Sequence, residues 1–178
     1  MSDNTKKLCL IAVGIALFVT LSLCLQVPVF ENYYLCLGYV VMAVYCYSFG
    51  TLAGTAAGCL GVVLYCLLIS GLRGMPGWTL GNLVIGILLG LTFRITKPMK
   101  NLLLKTAIDA FAIVAATALG ILVGKSLVEC LLYAQPFLVR AGKNLYAFVA
   151  DIVVLLVSLP ICMTLDGVAK RMFPGLVK

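Results

Sequence analysis

Long apolar runs alternate along this chain with short polar or basic interruptions. A membrane-crossing helix needs about 20 apolar residues, somewhat fewer where the bilayer thins or flanking side chains snorkel. Six segments meet that requirement: residues 8–26, 35–49, 51–72, 78–94, 102–124 and 144–165, of which the second and fourth are short. The pattern predicts an all-α integral membrane protein, a six-transmembrane-helix bundle. Residues 1–178 form a single transmembrane domain, with no soluble domain, useful linker or internal repeat.

The breaks between runs agree with this division. Pro28, Pro76, Pro98, Pro136 and Pro174 fall between or beyond the segments, where a missing N–H costs little. Pro160 lies inside the last segment and is expected to bend it. The first run follows Lys6 and Lys7 but is too long for a signal-peptide core. Gln26, Val27 and Pro28 make no small-residue cleavage site, so the run is read as a helix of the mature protein.

Composition strengthens the membrane reading. The chain is 63% hydrophobic and 11% charged, with mean hydropathy +1.17. Ordinary soluble domains carry roughly a quarter charged residues, so too few charges are present here to cover a water-facing surface. The formal charge of +7 is scattered at the ends of apolar runs and forms no basic patch, which argues against nucleic acid. It sets orientation instead. With both termini cytoplasmic, the inner side receives Lys6, Lys7, Arg94, Lys97, Lys100, Lys105, Lys170, Arg171 and Lys178, and the outer side only Arg73, Lys125, Arg140 and Lys143.

Two apparent motifs lose their force. "GILVGKS", Gly120 to Ser126, looks like a phosphate-binding loop, but the position five before the Gly-Lys pair is Leu119, and an apolar run precedes it in place of a strand and turn. In the six-span topology Lys125 lies on the outer side, away from ATP, and "GKS" marks where the fifth helix leaves the membrane. Eight cysteines contain no Cys-x-x-Cys pair, and no histidine is present to complete a zinc site. Most lie in apolar runs as small hydrophobes. Cys36 and Cys130 fall near the outer face, where a disulfide between them could form.

Catalysis needs convergent acids, bases or metal ligands, and the inventory is thin: six carboxylates and no histidine. The chain is therefore not read as an enzyme and calls for no cofactor. Asp109 and Asp151 are the acids inside predicted spans, where an ionisable group is a functional candidate by default. Asp109 follows Lys105 by one helical turn, so the two are expected to satisfy each other. Asp151 has no such neighbour and shares a helical face with Asn144 and Phe148; it is expected to line a polar cavity or to tie helices together.

Other polar groups gather on the same outer half. "RGMPGWTLGN", Arg73 to Asn82, delivers Trp78, either a membrane anchor or a stacking surface for a flat ligand, and then Asn82, whose amide needs partners inside the bundle. "PVFENYY", Pro28 to Tyr34, is read as an outer loop rich in aromatics. The loop 125–143 adds Gln135, Arg140 and Lys143. Together they suggest a small-molecule pocket open to the outside, tolerant of an anionic substituent, with Tyr34, Trp78, Asn82, Arg140, Asn144 and Asp151 as binding residues.

Small residues form stripes as well. Ala12, Ala16 and Thr20 recur every fourth position on the first helix, Gly50, Gly54 and Gly58 on the third, Gly86 and Gly90 on the fourth, allowing close helix approach.

In length, segment count and order of features, the chain resembles the substrate-binding S-components of energy-coupling factor transporters. The resemblance rests on "AVGIA" in the first helix, "YLCLGYVVMAVYCYSFGTLAGTAAG" across the second and third, and "WTLGNLVIGILLGLTFR" in the fourth. It implies a multi-pass cell-membrane protein that captures a vitamin or related micronutrient from outside, in a pocket formed by outer loops and helices four to six. It also implies docking through Ala12 and Ala16 onto a membrane-embedded coupling subunit carrying two cytoplasmic ATPases, which would supply the energy. The outer-half residues match no single vitamin-specific branch. The alternative from another class is a stand-alone secondary transporter or channel, with Asp109 or Asp151 carrying a coupling proton.

Overall fold

A computed structural model describes residues 3–24, 27–30, 33–173 and 175–177. Helix α1 (Asp3–Cys24) leads to a two-stranded antiparallel hairpin, β1 (Val27–Phe30) and β2 (Tyr33–Leu35), in which Val27 pairs with Leu35 and Pro28 with Tyr34. Then follow α2 (Gly38–Phe49), α3 (Thr51–Tyr65) with a π-helical extension Cys66–Ser70, and α4 (Met75–Thr96). Helix α5 (Leu102–Thr117) passes through a π-helical stretch, Ala118–Lys125, into α6 (Ser126–Tyr133), and α7 (Phe137–Met172) ends the bundle.

The apolar runs become helices because hydrocarbon offers backbone groups no partner, so each segment must satisfy its own N–H and C=O. Among the described residues, five helices are long and apolar enough to cross a membrane: Asn4–Cys24, Thr51–Ile69, Met75–Thr96, Leu102–Tyr133 and Phe137–Met172. Gly38–Phe49 is a shorter apolar helix. Their outward faces are greasy; Leu103, Leu131 and Leu138 are each more than 80% exposed, as expected of side chains that meet lipid.

Local chemistry explains several boundaries. Asn101 caps α5 by accepting from the Leu104 N–H at 3.2 Å, and Pro76 sits in the first turn of α4, where no N–H is needed. Gly50, at φ 93°, turns the chain between α2 and α3 in a conformation that disfavours a side chain. Helix α7 continues past Pro160 to Met172.

Two expected boundaries are corrected. The fifth helix does not end at "GKS"; it continues to Tyr133, and the supposed loop 125–143 is helical except around residues 134–136, where Ala134 takes a left-handed conformation. The last helix begins at Phe137 instead of 144. At about 1.5 Å per residue, these two rods reach roughly 48 and 54 Å, well beyond a hydrocarbon core of about 30 Å. Their charged ends can therefore stand in the interface while staying helical. "PVFENYY", read as a loop, contributes strands to the hairpin, which packs on α7.

Packing centres on α3, which lies against α1, α2 and α4, with α7 closing the other side against α2 and α5. The core contains Phe18, Tyr39, Met42, Ile85, Leu89, Phe93, Ile113, Ile121 and Leu155. Glycines set the closest approaches. A Cβ on Gly86 would lie 2.6 Å from Thr55 Oγ1, and one on Gly120 would lie 2.7 Å from the Gly81 carbonyl. Gly120, the first glycine of the phosphate-loop look-alike, thus serves to bring α4 against the π-helical stretch.

Candidate binding site

The functional candidates converge where the first turns of α2 and α4 meet α3, the π-helical stretch, α6 and α7. Trp78 and Asn82 stand one turn apart on α4, so both project toward α2. The Trp78 Nε1–H donates to the Tyr39 hydroxyl at 2.9 Å, and that hydroxyl donates to Asn82 Oδ1 at 2.7 Å. Asn82 Nδ2 in turn donates to the Gly58 carbonyl of α3 at 3.1 Å. Tyr65 meets the Trp78 ring edge to face, with centroids 5.6 Å apart. The indole therefore points into the bundle, and the lipid-anchor reading of Trp78 does not describe its hydrogen bond.

Asp151 comes from α7. It is buried, within interaction range of the Tyr39 hydroxyl and the Lys125 ammonium. Lys125 links this first group to a second: it lies 3.9 Å from Glu129 one turn on, and Arg140 lies 4.0 Å from the same carboxylate. Asn144 Nδ2 donates to Ser126 Oγ at 3.0 Å and to Glu129 Oε2 at 2.9 Å, fastening α7 to α6. The Arg140 guanidinium also covers the Tyr133 ring at 3.9 Å, a cation–π contact. Arg140 Nε and Gln135 Oε1 are buried without a hydrogen-bond partner among the described residues.

Trp78, Asn82, Asp151, Asn144 and Arg140 thus gather in one polar cluster, although Asn82 and Asn144 each spend their amides on contacts between helices. Tyr34 belongs to β2 through its backbone, and its side chain lies outside the described residues. Ala12 and Ala16 are exposed on α1 and join none of these contacts. Cys36 and Cys130 are both free; Cys36 is buried, with its sulfur 3.2 Å from Ser22 Oγ.

Three participants were not foreseen: Tyr39, Lys125 and Glu129. Tyr39 hides in an apolar run, and Lys125 and Glu129 read as loop residues until the helix is known to continue, when their spacing of four puts them on one face. Their presence changes the electrostatics. Lys125 and Arg140 both approach Glu129, and Lys125 also lies within reach of Asp151, so acidic groups accompany the basic ones in the cluster.

The other end of the bundle holds a separate network. Asp109 and Lys105 lie near enough to interact, as expected, and each also has a hydrogen-bond partner on another helix: Thr96 Oγ1 donates to Asp109 Oδ1 at 2.6 Å, and the Lys105 ammonium donates to the Tyr47 hydroxyl. The lysine reaches across to α2 because Tyr47 offers it both a hydroxyl and a ring face, 4.9 Å from the ammonium.

Comparison with known proteins accords with this architecture. A solved structure described as the S-component for biotin from an ECF-type ABC transporter superposes with a TM-score of 0.58 at 18% identity, covering 94% of this chain and 95% of that one. At that identity the likeness shows a shared fold. No curated protein matches the chain by sequence. The family described as ECF-type riboflavin transporter, S component, matches residues 2–166. A match across nearly the whole of a chain built as this bundle leaves one conclusion: the protein is a multi-pass membrane S-component of the ECF-type riboflavin transporter family.

Proposed function

We propose that this S-component captures a water-soluble vitamin from outside the cell and that riboflavin is the vitamin. The observation that carries this reading is the charge-balanced cluster around Tyr39, Trp78, Asn82 and Asp151, flanked by the matched charges of Lys125, Arg140, Glu129 and Asp151. A flat, uncharged ring with amide-like donors and acceptors along its edge suits an indole face, two carboxamides and a hydroxyl. A ligand carrying a carboxylate, such as biotin, would compete with Glu129 and Asp151 for the cluster's two cations. Ligand entry exchanges the internal hydrogen bonds of Asn82 and Asn144 for bonds to the vitamin, which keeps buried polar groups satisfied in both states.

In this reading the chain crosses the membrane six times with both termini cytoplasmic, and the cluster faces outward. Energy comes from partners: a coupling subunit docks on the exposed Ala12 and Ala16 face of α1, where small side chains allow close helix approach, and two cytoplasmic ATPases drive release. Competition binding tests the ligand. Riboflavin should displace a labelled flavin from the purified chain, and biotin should not; displacement by biotin at equal concentration would refute the assignment. The stand-alone secondary transporter draws on Asp109, whose Oδ2 is buried without a hydrogen-bond partner among the described residues. Uptake into liposomes by this chain alone under a proton gradient would favour that reading.

A further inference from the structure

The end of the bundle where α1 begins and α7 finishes holds a feature outside the polar cluster. A groove of about 860 Å³ opens at the junction of α2 and α3, between α4 and the last turns of α7. Its floor is low because Gly50, Thr51 and Gly90 are small and closely packed; a Cβ on Gly90 would lie 2.5 Å from the Thr51 Cα. Three cations line it, Arg94, Lys97 and Lys170. The carboxylate beside them, Asp166, is shared: Lys97 holds one oxygen at 2.8 Å and Lys170 the other at 2.7 Å. Lys97 also donates to the Tyr47 carbonyl at 3.2 Å. Arg94 is exposed and has no ion pair among the described residues, so the rim keeps a surplus of positive charge around an open space.

Exposed aliphatic side chains border that space. Leu52 and Leu91 line the groove and are 73% and 47% exposed, and Ile95, one turn beyond Leu91, is 66% exposed. A cationic recess beside an exposed aliphatic face matches a molecule with an anionic head and an acyl tail. A guanidinium offers paired donors to phosphate oxygens, and each basic residue near a membrane surface attracts anionic lipid by about 1 kcal/mol, roughly fivefold in binding. We propose that this groove binds the phosphate of an anionic phospholipid, with Arg94 and Lys170 as its direct partners, Lys97 held in place by Asp166 and Tyr47, and the tail along Leu52, Leu91 and Ile95. The site does not depend on which vitamin the opposite end takes.

Native mass spectrometry of the intact, detergent-purified chain tests it, with phosphatidylglycerol and phosphatidylcholine of identical acyl chains as probes, each with and without excess inorganic phosphate. The expected result is preferential retention of phosphatidylglycerol, weakened about fivefold in Arg94→Gln and on the order of 25-fold in Arg94→Gln with Lys170→Gln. Arg94→Lys should keep most of the preference, and thermal melting of all variants should match the parent, separating loss of the site from loss of the fold. Equal retention of the two lipids, or undiminished phosphatidylglycerol binding by the double variant, overturns the proposal. Displacement of the lipid by inorganic phosphate alone assigns the groove to a free anion and overturns it too. So does a double variant that keeps its lipid but no longer assembles with the coupling subunit, which would make the groove a protein contact.

Discussion

The Tyr39 hydroxyl donates to Asn82 Oδ1 at 2.7 Å, joining α2 to α4 at the heart of the polar cluster. The same hydroxyl accepts from Trp78, so one oxygen sets the position of both α4 side chains. Tyr39→Phe keeps the ring packing and removes that oxygen, leaving the Asn82 carbonyl and the indole N–H without this partner. Vitamin affinity should fall by about tenfold or more, roughly 1.4 kcal/mol, as read by equilibrium dialysis. Unchanged affinity would mean that the hydroxyl serves packing alone.

Glu129 is the shared acceptor for Asn144, Lys125 and Arg140. Glu129→Gln retains an acceptor for the Asn144 amide, whereas Glu129→Ala removes it and leaves two half-buried cations less well matched. The alanine variant should lose about 1–3 kcal/mol of stability, visible as a lower melting temperature in detergent, and the glutamine variant clearly less. Equal melting of the two would show that α6 and α7 are held by other contacts.

Helix spacing makes a separate demand. Gly86 faces Thr55 and Gly90 faces Thr51 across the α3–α4 contact, with no room for a Cβ. Gly86→Val should push the helices apart and cost about 1–3 kcal/mol by overpacking, measured as reduced thermal stability and folded yield. Gly142 has open space around it inside α7, so Gly142→Ala should not lower the melting temperature.

Docking should separate cleanly from capture. Ala12 and Ala16 are exposed and lie outside the cluster, so Ala16→Trp should leave vitamin affinity as it is while abolishing copurification with the coupling subunit. Joint loss of binding and assembly would show instead that the stripe holds the bundle together.

These contrasts show what the sequence could reveal. The rods were legible because runs of about twenty apolar residues have few alternatives to helix in a bilayer, and Trp78, Asn82, Asn144 and Asp151 stood out as polar groups among them. The helical extent of 125–143 was not legible. Lys125, Glu129, Arg140 and Lys143 read as surface loop residues by hydropathy, and only the three-dimensional arrangement shows Glu129 compensating two of those cations. Tyr39 escaped notice for the opposite reason: a tyrosine in an apolar run looks like core until its hydroxyl is seen between Trp78 and Asn82. Lys105 and Asp109 do lie within interaction range one turn apart, but their hydrogen bonds to Tyr47 and Thr96 across the helix interfaces could not be read from spacing along one helix.

Trp78 is the only tryptophan, so its emission reports on the cluster without a competing signal. The most direct test of the account is a fluorescence titration of the purified, folded chain with riboflavin. Saturable quenching of Trp78 at one vitamin per chain, weakened in Asp151→Asn and Tyr39→Phe, is the predicted result. Saturable riboflavin binding, measured by dialysis, that leaves Trp78 emission untouched and survives both substitutions would place the vitamin elsewhere and contradict the account.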